Sequence, residues 1–127
     1  ILEIFYIYNM EFYYKLITKQ DISRSFVVNK NAISHFFEKS LNLHGDEEIV
    51  FIRYKENFYE ETILVLHQDA RILLKNRDFN EGDIAFFKKV RLNYFDLYIF
   101  NDKISIEKIR VKLNDSNFYL SNTPIAL

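Results

Sequence analysis

The chain has 127 residues, enough for one ordinary core and too few for two. Hydrophobic residues make up 49% and aromatics 17%, which excludes a disordered chain and favours a β-rich interior; Lys and Arg total 17 against 18 Asp and Glu, so at a net charge of -1 any nucleic-acid site has to be a local patch. The absence of Cys excludes disulfides and thiolate chemistry, and no stretch reaches the roughly 20 apolar residues of a membrane-spanning helix.

In chain order, the first apolar run predicts a strand over about 3–8; it opens at Ile1 with no basic start or small-residue cleavage site, and we expect a segment of a longer protein. Further strands are expected over about 12–17 and 25–28. NAISHFFE follows, where Asn31 can cap a short helix that puts Ile33, Phe36 and Phe37 on one face. Strands over about 48–54 and 58–66 form a hairpin turning near Lys55, Glu56 and Asn57. DARILLKN, opened by Asp69, reads as a second short helix. The last strands are expected over about 84–88, 94–100 and 104–113, the final one shifting phase at Glu107 and Lys108 as a β-bulge does. This is the pattern of a barrel or sandwich.

A carboxylate-type metal nuclease needs an acid two residues before a lysine, so that both reach one metal and its water. The residues two before the lysines, among them Tyr13, Ile17, Arg53, Leu73 and Asn101, include no acid. His35, His44 and His67 lie far apart, and neither a Gly-rich phosphate loop nor a Gly-x-Ser-x-Gly turn occurs. We therefore expect no catalytic residues, no metal and no cofactor. Polar and basic residues do gather in KQDISRSFVVNKN, where Lys19, Gln20, Ser23, Arg24, Ser25, Asn29, Lys30 and Asn31 surround Phe26–Val28. Arg and Lys suit guanine edges and phosphates, Asn and Gln suit adenine, and Ser suits phosphate oxygens. DNA contact and an ordinary solvated loop both fit this composition.

The order of four segments, KLITKQDI, SFVVNKNAISHFF, VFIRYKENFYEETILVL and RILLKNRDFNEGDIAFFKK, resembles the B-three family. That family comprises the DNA-binding domain of plant auxin-response and abscisic-acid-related factors, with bacterial relatives in the effector domains of restriction endonucleases such as EcoRII and BfiI. The matching positions are Ile17, Thr18, Asp21 and Ile22; Phe26, Val28, Lys30, Ala32, His35 and Phe36; Arg53 and Tyr54; and Phe79, Gly82, Asp83 and Phe87, spanning about residues 15–90. Asn29 stands where the family has proline, there is no Trp, and the first loop is about two residues shorter.

The resemblance implies a mostly β fold, a seven-stranded open pseudobarrel with two short helices at its ends, gripping the major groove of double-stranded DNA with two arms. By position the first arm is Lys19–Lys30, with Lys19, Gln20, Ser23, Arg24, Ser25 and Lys30 as contacts. The second is about Arg53–Thr62, with Arg53, Lys55, Asn57 and Tyr59 as contacts and Glu60 or Glu61 accepting from cytosine N4; the loop His67–Arg71 is its alternative. Each position has a plainer reading: Thr18 and Asp21 as loop caps, Gly82-Asp83 as a turn, and Arg53 in an ion pair with Glu47 or Glu61.

The expected function is sequence-specific DNA binding by a cytoplasmic, bacterial restriction-endonuclease recognition domain, with cleavage in a nuclease domain elsewhere, as in the same longer chain. The alternatives are a transcription-factor domain and a protein-interaction β-module working through Phe58, Tyr59, Tyr94 and Tyr98.

Overall fold

The computed structural model describes residues 10–40, 43–66 and 69–127. The strand expected over about 3–8 lies outside them. Among these residues eight strands form one sheet: β1 (Phe12–Leu16), β2 (Phe26–Val28), β3 (Glu47–Tyr54), β4 (Asn57–Val65), β5 (Ala70–Ile72), β6 (Ile84–Arg91), β7 (Tyr94–Phe100) and β8 (Phe118–Ser121). Their order is β2-β5-β4-β3-β7-β6-β1-β8, curled into an open half-barrel. Among the described residues only β3 and β7 pair in parallel. Three helices occur among the described residues: α1 (Lys19–Ser23), α2 (Lys30–His35) and α3 (Lys103–Leu113).

The fold is mostly β, as expected, but with eight strands among the described residues rather than seven. β8 pairs with β1 from Phe12↔Ser121 to Lys15↔Phe118, on the side of β1 away from β6. The expected bulged strand over 104–113 is instead α3. Asp102 caps it by accepting from the Ser105 amide at 2.9 Å, and Ile109 and Leu113 are buried with Ile106 packed beside them, while Ile104 and Val111 stay exposed. The phase shift at Glu107 and Lys108 was therefore helical spacing, not a bulge. DARILLKN is β5 with an extended continuation, not a helix: Ala70, Ile72 and Leu74 are buried and the residues between them are not, a period of two. NAISHFFE does open with α2, but its cap is Asn29, whose side chain accepts from the Asn31 amide at 2.8 Å. The residue standing at the family's proline position thus starts this helix.

The concave face holds the main core, in which Tyr13, Phe26, Phe36, Phe37, Phe87 and Phe95 interlock. Phe37 meets Phe95 edge-on at 4.8 Å between centroids, and Tyr13 stacks on Phe87 at 5.6 Å. Such pairs add about 0.5–1.5 kcal/mol each beyond burial. On the other face, α3 covers a second cluster with Tyr14, Ile84 and Phe86. The registers Leu16↔Ile84, Ile84↔Phe100, Tyr54↔Leu97 and Phe26↔Ile72 bring the end of β1, the start of β2, the β3–β4 turn and the β5–β6 connection to one end of the sheet.

Candidate nucleic-acid interface

Between β1 and β2 the chain makes an arm whose backbone is fixed from inside by one carboxylate. Asp21 is fully buried. It accepts from the Thr18 amide at 2.8 Å, the Thr18 hydroxyl at 3.1 Å and the Val27 amide at 2.8 Å, so it joins the two ends of the arm. It also pairs with the buried ammonium of Lys15, which lies 4.5 Å over the Phe26 ring. Burial pulls the Lys15 ammonium below its usual pKa, and the adjacent Asp21 acts against that fall. The Ile17 and Gly82 amides, bonded to the Asp83 and Ile17 carbonyls at 2.9 Å, tie the arm to the β5–β6 connection.

With Asp21 turned inward, Lys19, Gln20, Ser23 and Arg24 are exposed along α1, Ser25 is half-buried, and Lys30 is exposed at the first turn of α2. Two further arginines reach the arm from β5 and the connection after it. With its amide oriented to accept, Gln20 takes bonds from the Arg71 guanidinium at 2.9 and 3.3 Å. Arg71 sits opposite Val27 and Leu64 on the face of β5 away from the core and lies 3.6 Å from Asp69. The Arg77 guanidinium donates to the Arg24 carbonyl, at the C-cap of α1. Sequence reading made Arg71 only the end of the alternative loop and left Arg77 out. The alternation of Ala70, Ile72 and Leu74 is the signal that would have turned Arg71 outward on a strand; Arg77 carries no comparable local signal. A groove of about 460 Å³ runs beside the arm, lined by Lys19, Gln20, Val27, Lys30 and Asp69 among others.

The segment expected as a second arm is arranged differently. Its two-residue turn holds Lys55 and Glu56 at φ of 50° and 67°, the left-handed pair of a type I′ hairpin. Lys55 pairs with Asp78, which also accepts from the Tyr54 hydroxyl at 2.6 Å; the bond from Lys55, then that from Tyr54, holds the Asp78 carboxyl below its usual pKa. Arg53 makes a two-point contact with Asp96 at 2.8 and 2.8 Å across the parallel β3–β7 pair, so its partner is neither Glu47 nor Glu61. Asn57 and Glu60 are exposed. Tyr59 is half-buried and packs against the core. Glu61 is only 2% exposed and accepts from the Lys75 amide at 2.9 Å, which removes it as an acceptor for cytosine. Strand alternation explains both: β4 turns Tyr59, Glu61, Ile63 and Val65 to one side, and that side is the core. A groove of about 500 Å³ near this turn is lined by Asp78, Asp83 and Asp96 together with Arg53 and Lys55, a mixed lining that repels phosphate as much as it attracts it.

Of the loop His67–Arg71, residues 67 and 68 lie outside the described residues. His35 is half-buried in α2 and His44 is exposed in the loop before β3. Among the described residues no group of three or more His, Asp or Glu is placed to hold a metal.

No family model and no curated protein sequence matches the chain. Its fold is similar to that of the N-terminal domain of Helicobacter pylori LlaJI.R1, with a TM-score of 0.70, 17% identity, and coverage of 91% of this chain and 100% of that one.

Proposed function

We propose that this chain is a double-stranded-DNA-binding module of the B-three type, reading a short site through the arm between β1 and β2, and that it serves as the recognition domain of a bacterial, cytoplasmic restriction enzyme. The observation that carries the reading is the division of charge in the arm: Asp21 is consumed inside, while Lys19 and Arg24 face solvent with Arg71 and Arg77 drawn alongside. The fold likeness to a domain of a restriction-related protein supports the same reading. Backbone phosphates would supply most of the affinity through the cations, and side chains of α1 entering the major groove would supply selectivity. In this reading the module does not cut DNA; cleavage belongs to another domain or chain.

The test is selection of the purified protein on a random-core duplex pool at near-physiological salt, followed by sequencing. Enrichment of one short motif, with retention falling steeply as salt rises, is the expected result. Absence of both enrichment and salt-sensitive retention would overturn it.

A protein-interaction module is the second reading, favoured by one observation. Among the described residues nothing covers the sheet face beside α3 across β3, β4 and β7, where Ile49, Phe58 and Tyr98 are 45%, 71% and 47% exposed. Tyr59, half-buried against the core, no longer belongs to that surface. Binding through this apolar face would barely respond to salt, which separates the two readings.

A further inference from the structure

The β5–β6 connection runs past the arm, and one buried carboxylate fastens it near its start. Along the core-facing row of β4, Glu61 stands between Tyr59 and Ile63, where every neighbour in the row is apolar or aromatic. One of its oxygens accepts from the Lys75 amide at 2.9 Å; the other is buried with no hydrogen-bond partner among the described residues. A carboxyl in such a place is less favourable than an aliphatic residue such as Ile63 or Val65, which follow it in the same row. Filling the core does not account for it. Its one bond does something else: two residues beyond Lys75, Arg77 donates to the Arg24 carbonyl where α1 ends. Past that, Asp78 is held by Tyr54 and Lys55, and Phe79 packs edge-on against Phe26.

Resting on the DNA-binding reading above, we propose that Glu61 is a positioning residue of the interface: by pinning the Lys75 amide it sets the connection so that Arg77 clasps the Arg24 carbonyl and holds α1 in its binding pose. Glu61 itself touches no DNA. It acts through Lys75 and Arg77, which makes the β4 core row part of the recognition apparatus. Either protonation state leaves an oxygen able to accept from the amide, so Gln, which keeps a carbonyl oxygen in the same place, should substitute.

The experiment compares wild type, Glu61→Leu, Glu61→Gln and Arg77→Ala by amide hydrogen exchange and by binding to the duplex enriched from the random pool. In Glu61→Leu, exchange at Lys75 and across residues 22–25 should rise about tenfold or more while the remaining strands stay protected, and the duplex should bind about tenfold more weakly. Glu61→Gln should restore both to within about threefold of wild type. A folded Glu61→Leu with wild-type exchange at residues 22–25, or with faster exchange but wild-type affinity, overturns the proposal. If Glu61→Leu does not fold, Arg77→Ala decides: it leaves the core intact and should speed exchange at residues 22–25 without exposing the Lys75 amide, and unchanged exchange there overturns the clasp. Failure of the wild type to bind any duplex would instead sink the DNA reading, and the exchange data alone would then judge the pin.

Discussion

In the arm between β1 and β2 the acid is inside and the cations are outside; in the β3–β4 turn the cations are themselves bound to acids. Asp21 accepts from the Thr18 and Val27 amides, the Thr18 hydroxyl and Lys15, so the two ends of the loop are joined without the side chains of Lys19 or Arg24. The turn reaches a defined shape by another route, joining Lys55 to Asp78 and Arg53 to Asp96. Both segments are polar and both carry basic residues. What separates the two segments is which charges remain available once the backbone has been fixed.

The largest effect is expected from Asp21→Ala. It strips three bonds from the arm and strands the buried Lys15 ammonium, and removal of one partner of a buried pair costs about 3–5 kcal/mol. Urea unfolding should show that loss, and Lys15→Met combined with Asp21→Asn should recover part of it. A loss below about 1 kcal/mol would mean that the arm is not held by Asp21.

Arg24→Ala comes next. If Arg24 reads a guanine, binding to the selected duplex should weaken by about 1–3 kcal/mol with little change in stability. An equal loss on all sequences would make Arg24 a phosphate contact. The companion variants Arg53→Ala and Lys55→Ala should leave affinity within about twofold, since both side chains are already committed to Asp96 and Asp78. A tenfold fall from either would restore the turn as a second arm.

The sequence made the long strands legible because β1, β3, β4, β6 and β7 each carry several apolar or aromatic residues between turn signals. It misread α3 because Ile104, Ile106, Ile109, Val111 and Leu113 satisfy two periods at once, and only the partner surface of Tyr14, Ile84 and Phe86 selects the helical one. It missed β8 because Phe118–Ser121 is four residues long and gains its order from pairing with β1. Of the candidate site, the local segment around α1 could be read from KQDISRSFVVNKN. Arg71, Arg77 and the inward turn of Glu61 depend on pairings across the sheet that no local window contains.

The smallest effect is a pH dependence at Glu61. Burial first, set against the Lys75 amide bond and the Lys75 charge, raises its carboxyl above the ordinary glutamate value of 4.5. A raised native pKa means that the folded protein holds this proton more tightly than the unfolded chain does. The favourable contribution is therefore complete below pH 4.5 and is lost as pH rises through the native pKa. Asp78 is shifted the opposite way, but it is present in both proteins when wild type is compared with Glu61→Gln, so its titration cancels. The stability of wild type relative to Glu61→Gln, measured by urea unfolding across the acid range, should fall as pH rises from below 4.5 and then level off. A difference that stays flat with pH would mean that Glu61 titrates alike in the folded and unfolded chains, as an exposed carboxylate does, and would contradict its place in the β4 core row.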